Sequence, residues 1–424
     1  MKKPKITGQK DSVFTSFLVL LFVSFIFSID ILISKEMAIL VPAEPILAIL
    51  IFIMVSRFLL QRGEFYIPKS KLLTISIFFF LYSFLNVLFS KHIFVSGKAF
   101  TRETLYFIAI FLGMIIFLRK NRDIKNLIDV LMGIGLIFAV WGIYQQVSGP
   151  LQNYAILGAP FFDEHGSYGA YMSFLFSFAL AFFLYGKNKH SRVIFFVLMV
   201  LFLGAVIFSF AKGAWVSIIG MLIFLPLIDK SNFWNIKKMV VFIFISIILG
   251  SFFFQFIINR GYNTLDLQYM FSLRHGANQE RINRFATALN MFRQNPLFGV
   301  GIRCYIFEYF NYKTIIYPTM HTEFQMMSSH NQYLDVLANR GIIGFILFIG
   351  LIGIFIRNGI RTFRKSNIKW KPLILGALLG NITYFIHWMT NTLWVGKLAA
   401  LFWFCMAIVV IGELNIGQKR RNEK

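Results

Sequence analysis

The chain has 424 residues, 58% of them hydrophobic and only 14% charged, with 53 phenylalanines and a mean hydropathy of +0.69. Soluble domains are roughly half apolar with about a quarter of their residues charged, so this composition excludes a water-soluble globule and indicates an integral membrane protein. The net charge of +24 lies in short tracts between apolar runs, such as Arg119, Lys120, Arg122 and Lys125. That is the signature of membrane topology and not the continuous basic face of a nucleic-acid binder. Cys304 falls in a polar stretch and Cys405 in an apolar one, which argues against a disulfide framework or a thiolate metal site.

In chain order, apolar runs predict about twelve transmembrane helices, at 13–34, 43–60, 72–90, 103–118, 124–146, 167–186, 192–210, 214–229, 238–257, 334–356, 372–390 and 395–412. The first run is too long for a cleavable signal and no small-residue cleavage site follows it, so it reads as a retained helix. The fourth and eighth runs are short and would need snorkelling flanks or a locally thinned bilayer. Alternate loops hold about two-thirds of the 42 Lys and Arg residues, which places those loops and both termini in the cytoplasm. The expected fold is an all-α polytopic membrane protein in three parts. Residues 1–257 carry nine spans, 258–331 form one long loop on the opposite, periplasmic face, and 332–424 carry three spans and a basic cytoplasmic tail.

Long loops in compact proteins are usually functional or disordered. This one has an amphipathic pattern over 280–292 and stop signals at Pro296 and Gly299, which predict a helix of its own. It is also basic, with Arg260, Arg274, Arg281, Arg284, Arg293, Arg303 and Lys313 against four carboxylates. Arginine forks suit phosphate and diphosphate, although a long loop needs solvating charge in any case. Lys212, in the break S-F-A-K-G-A-W at 209–215, puts a cation at the outer membrane surface, where a snorkelling lysine is the plainer reading. His330 precedes Asn331 at the start of the tenth span. Its side-chain type titrates near neutrality, which suits removal of a proton from an attacking hydroxyl. A lone interfacial histidine is more often simply bonded to a neighbour. His321 has a weaker claim, as have His165, His275 and His387. No pair has zinc-ligand spacing on one helix.

Taken together, three stretches resemble the O-antigen ligase and O-antigen polymerase superfamily of bacterial membrane proteins. They are S-F-A-K-G-A-W at 209–215, E-R-I-N-R-F-A-T-A-L-N-M-F-R-Q-N-P-L-F-G-V-G at 280–301, and S-S-H-N-Q-Y-L-D-V-L-A-N-R-G-I-I-G at 328–344. The resemblance implies a GT-C-like fold in the bacterial inner membrane and a metal-independent, ATP-independent glycosyltransferase without a cofactor. The implied donor is a polysaccharide on undecaprenyl diphosphate and the implied acceptor is the lipid A–core oligosaccharide. His330 then falls on the base that activates the acceptor, Arg281 on the diphosphate-binding arginine, and Lys212 in place of a second cation. Asn331, Arg284, Arg303 and His321 join them as candidate substrate contacts. Three positions depart from the family pattern. Lys212 stands for the usual arginine, Phe285 for a tryptophan, and Ser328 for a first histidine.

A polymerase with the same donor is the nearest rival, but the other candidate outer loop, 148–167, has no Lys or Arg, which favours a ligase. A protein oligosaccharyltransferase relative would carry a C-terminal periplasmic domain. A transporter of the same lipid should show repeats and ionisable groups at mid-membrane, and the spans have few. A non-catalytic scaffold would leave the His-Asn motif unexplained.

Overall fold

The computed structural model describes residues 12–34, 37–60, 69–118, 120–148, 157–159, 161–162, 164–186, 188–230, 276–319, 328–394 and 396–422. The elements run α1 (Ser12–Phe27), β1 (Ile29–Ser34), β2 (Met37–Val41), α2 (Ala43–Leu60), α3 (Lys71–Leu88), α4 (Ile93–Tyr106) and α5 (Gly113–Phe117). They continue with α6 (Asn121–Ser148), α7 (His165–Tyr185), α8 (Lys189–Phe208), α9 (Lys212–Ile228), α10 (Gly276–Gln294), α11 (Tyr305–Tyr312), α12 (Gln332–Lys365), α13 (Lys371–His387) and α14 (Gly396–Asn422). Among the described residues, eight helices are long and apolar enough to cross a membrane, and α9 and part of α1 are shorter apolar helices. The predicted ninth span, 238–257, lies outside the described residues.

Two predicted boundaries need correction. The first helix ends at Phe27, and the remainder of that apolar run pairs as an antiparallel hairpin, β1 with β2. The all-α expectation therefore has one short exception. Ser28 closes the neck of this hairpin: its hydroxyl donates to Ser24 O (2.8 Å) and accepts from Ala43 N (3.2 Å). The fourth helix is not short. A π-helical turn, Phe107–Leu112, joins α4 to α5, giving a continuous 25-residue rod from Ile93 to Phe117. Its first turns are polar, so an apolar window misses them.

The α13 helix is buried along nearly its whole length and packs with α7, α9 and α14. Glycines allow this close approach: a Cβ on Gly376 or Gly380 would meet the rings of Phe178 or Phe174 of α7 at 2.3 and 3.0 Å. At one end of the bundle, Trp388 and Trp394 stack 6.1 Å apart, and Phe348 contacts both at 5.4 and 5.2 Å. This aromatic packing forms a rigid floor under the turn that follows α13.

One buried ion pair ties α12 to α4. Arg340 donates to both carboxylate oxygens of Glu103, at 2.8 and 2.6 Å, and also to Ser83 Oγ. Its guanidinium lies 4.8 Å from the Phe79 ring. Stripping either partner leaves an uncompensated charge in a dry setting, whereas removing both does not. Arg340→Leu should therefore cost about 3–5 kcal/mol of stability, and the double variant Arg340→Leu/Glu103→Leu should recover most of it. Thermal unfolding of the four proteins in detergent checks this.

Candidate active site

Three pieces of backbone converge at the aromatic floor. The first is the 328–332 segment. Asn331 caps α12: its Oδ1 accepts from Tyr333 N (2.9 Å) and Leu334 N (3.0 Å), and its Nδ2 donates to Met389 O (2.9 Å). Gln332 N donates to Trp388 O (2.8 Å), and Gln332 Oε1 accepts from Trp394 N (3.0 Å). His330 is pinned between these anchors with φ +47°. A non-glycine residue in the left-handed region costs about 1–2 kcal/mol, so the flanking bonds hold it there against its own preference.

The second piece is the Pro296–Gly301 stretch after α10. Val300 N donates to Ala338 O (2.9 Å), Gly301 N to Asn339 O (3.0 Å), and Ile342 N to Pro296 O (2.8 Å). Here α12 is not one smooth helix: Gly341 is non-helical, with φ +64° and ψ −169°, which frees the backbone groups that take up the incoming segment. Gly299 and Gly341 also have positive φ, and a Cβ on either would lie 2.4 Å from Ala338 O or 2.2 Å from Leu297 O. Only glycine fits. The clasp fixes α10 against α12. Asn283 of α10 in turn holds the segment after α11, accepting from Ile316 N and Tyr317 N at 2.8 and 2.9 Å.

The third piece is the α8–α9 break. Phe210 takes φ +55°, Trp215 Nε1 donates to Val206 O (2.9 Å), and Lys212 becomes the first residue of α9. Gly213 sits where a Cβ would be 2.6 Å from His387 Nε2. The helix N-terminus and the lysine both favour an anion.

These pieces bring together residues scattered in sequence. Burial, then Arg284, Arg281 and His165, push the His330 imidazole down to about 3. Both arginines therefore lie within electrostatic reach of the imidazole. Lys212 and Arg281 repel each other, and His387 feels both His165 and Arg281. Arg281 and Arg284, three residues apart, share a face of α10. Burial lowers the pKa of both guanidiniums. Arg284 pairs with Glu280 at 3.3 Å, while Arg281 has no ion pair among the described residues. The result is a partly buried cluster of cations and histidines, an arrangement suited to a polyanion.

Not every sequence candidate joins it. The Asn331 side chain is committed on both sides to the backbone, which makes it a positioning group. Arg303 looks elsewhere, with Asp335, Glu103, Arg102 and Arg340 as its electrostatic neighbours. His321 lies outside the described residues. His165 and His387, given only weak claims from sequence, stand in the cluster. Each occupies the end of an apolar helix on the side that the loop topology assigns to His330, and that was the available signal.

Residues 197–349 match the O-antigen ligase family, a span that holds Lys212, Arg281 and His330. Over this segment the chain is similar to the O-antigen ligase/O-antigen polymerase superfamily. It is a multi-pass membrane protein. An uncharacterized protein of Haemophilus influenzae is 23% identical over 249 residues, which is 56% of this chain and 61% of that relative. The match therefore spans less than two-thirds of the relative's length.

The cap makes a structural role separable from a chemical one. Asn331→Ala removes both the cap and the Met389 tie and should cost about 1–2 kcal/mol. Asn331→Ser keeps the cap and should cost about half as much. Thermal midpoints of the two variants in detergent give the comparison.

Proposed function

We propose that the protein is an O-antigen ligase-type glycosyltransferase. It moves a polysaccharide from undecaprenyl diphosphate to the lipid A–core oligosaccharide at the periplasmic face of the bacterial inner membrane. The reading includes a GT-C-like arrangement of twelve spans with both termini cytoplasmic. The observation that carries it is the set of cations near His330: Arg281 and Arg284 act on its imidazole, and Arg281 in turn acts on Lys212.

In this mechanism Arg281 and Lys212, at the N-terminus of α9, hold the diphosphate and neutralise it as it leaves. His330 takes the proton from the acceptor hydroxyl, whose oxygen attacks the anomeric carbon. The bond from that carbon to the diphosphate breaks, with inversion of configuration. The leaving group is already good, so positioning and charge stabilisation supply most of the catalysis.

A pKa near 3 makes free His330 a poor base. A bound diphosphate changes this. Its negative charge offsets the arginine field, so proton affinity at His330 rises only when the donor is in place. The order donor first, proton transfer second, is therefore built into the electrostatics.

Transfer should vanish in His330→Ala protein that still inserts and folds, measured by reconstitution with lipid-linked polysaccharide and lipid A–core without ATP. Label appearing on the core identifies a ligase. Growth of the lipid-linked chain would instead mean polymerase, and normal transfer by the variant would refute the histidine's role. The neutral imidazole is the active form, and in the free enzyme it persists down to about pH 3. The acid limb of kcat/KM should accordingly lie well below the usual histidine value of about 6.5. Arg281→Gln removes a neighbouring positive charge, so it should move that limb to higher pH while raising the donor KM.

A further inference from the structure

A cavity of about 330 Å3 opens beside the segment that carries His330. Ser328 and Asp335, which bracket His330 in the chain, form part of its wall. The size is at the small end of the range for ligand sites. Aromatic side chains, Tyr106, Phe307 and Trp394, alternate in its lining with the charged groups Lys98, Arg102 and Arg303. Flat apolar faces beside charged hydrogen-bond donors are what a sugar ring bearing an anionic group requires.

Arg303 is the informative residue. More than a third of its surface is accessible, yet protein surrounds the guanidinium and burial lowers its pKa. Its accessible surface lines this partly open cavity. Arg303 has no hydrogen bond and no ion pair among the described residues. Its nearest carboxylates are largely engaged: Glu103 receives both oxygen contacts from Arg340, and Asp335 accepts from Ser329 Oγ at 3.2 Å. Arg102, by contrast, is paired with Glu44 at 2.6 Å. The backbone at Arg303 has φ +63°, a conformation a glycine would adopt without strain. An arginine there holds a guanidinium in the cavity at a local conformational cost.

We infer that this cavity is a sugar subsite for an anionic, phosphate- or carboxylate-bearing residue of the acceptor glycan, with Arg303 as the fork that binds the anion and the aromatic faces as the platform. The word acceptor rests on the transferase reading given above, whereas the recognition of an anionic sugar does not.

The test uses the full-length protein in detergent and saturation-transfer NMR with glucose 6-phosphate, glucuronate and glucose. At least one anionic sugar should bind about tenfold or more tightly than glucose, and which one does tells phosphate from carboxylate. Arg303→Gly should erase that advantage without lowering the thermal midpoint, because glycine relieves the positive φ. Arg303→Lys should retain part of it. An anionic sugar that binds no better than glucose, or undiminished binding in Arg303→Gly, overturns the assignment. Binding is read without turnover, so the two readings can fail separately. Intact anionic-sugar binding in a protein that transfers no glycan would remove the transferase and keep the site.

Discussion

The whole site depends on one backbone-to-backbone clasp. Residues 296–301 lie against the break in α12 around Gly341, through hydrogen bonds in both directions. Close approach of two main chains needs positions without a Cβ, and Gly299 and Gly341 supply them. Every important side chain is referred to this junction. The helix before it carries Arg281 and Arg284, the residues just after it lead to Arg303, and the helix it interrupts begins two residues after His330. Tyr82 of α3 adds a lock from the membrane side, since its hydroxyl donates to the carbonyls of Leu297 and Arg340. A membrane helix is thereby held in register with a loop helix that has no apolar span of its own.

Around that junction the protein separates two kinds of charge. Deep in the bundle, Arg340 is matched by Glu103 and by the Phe79 ring, so its role is structural. Toward the His330 end, Arg281 has no such ion pair among the described residues, and it lies within the electrostatic reach of Lys212. Like charges held together are costly, and folding tolerates the cost because packing and backbone bonds over-determine the geometry. The left-handed residues Phe210, Arg303 and His330 belong to the same pattern: strain collects where side chains must be aimed.

Much of the fold was legible in the sequence because apolar length is a direct physical requirement of crossing a bilayer. Helix α10 was legible from its amphipathic period and the Pro-Gly stop. The extension of α4 back to Ile93 was not, since Lys98 and Arg102 lie before the apolar run and read as loop until the pairing of Arg102 with Glu44 is known. The hairpin over 29–41 was missed because a short apolar run has no period that tells strand from helix. In the site, His330, Arg281 and Lys212 could be named from motif likeness, but no sequence signal revealed that Asn331 spends both amide groups on the backbone. Nor could spacing show that His165 and His387, from distant helices, share the His330 pocket, or that Arg303 turns to a different space.

On the proposed mechanism, tying the base to the donor's charge creates a second demand. Once the diphosphate raises the basicity of His330, water could be activated as readily as a sugar hydroxyl, and hydrolysis would waste the donor. Protection has to come from the side on which the nucleophile arrives. On this mechanism the surface able to exclude water is the lining of the cavity at Ser328, with Trp394 in its wall. A nucleophile is therefore admitted by shape and charge together: it must fill a lined space and bring an anion for Arg303. On this reading the two clusters divide the work: the cations near His330 tune the base, and the aromatic walls with Arg303 choose what the base acts upon.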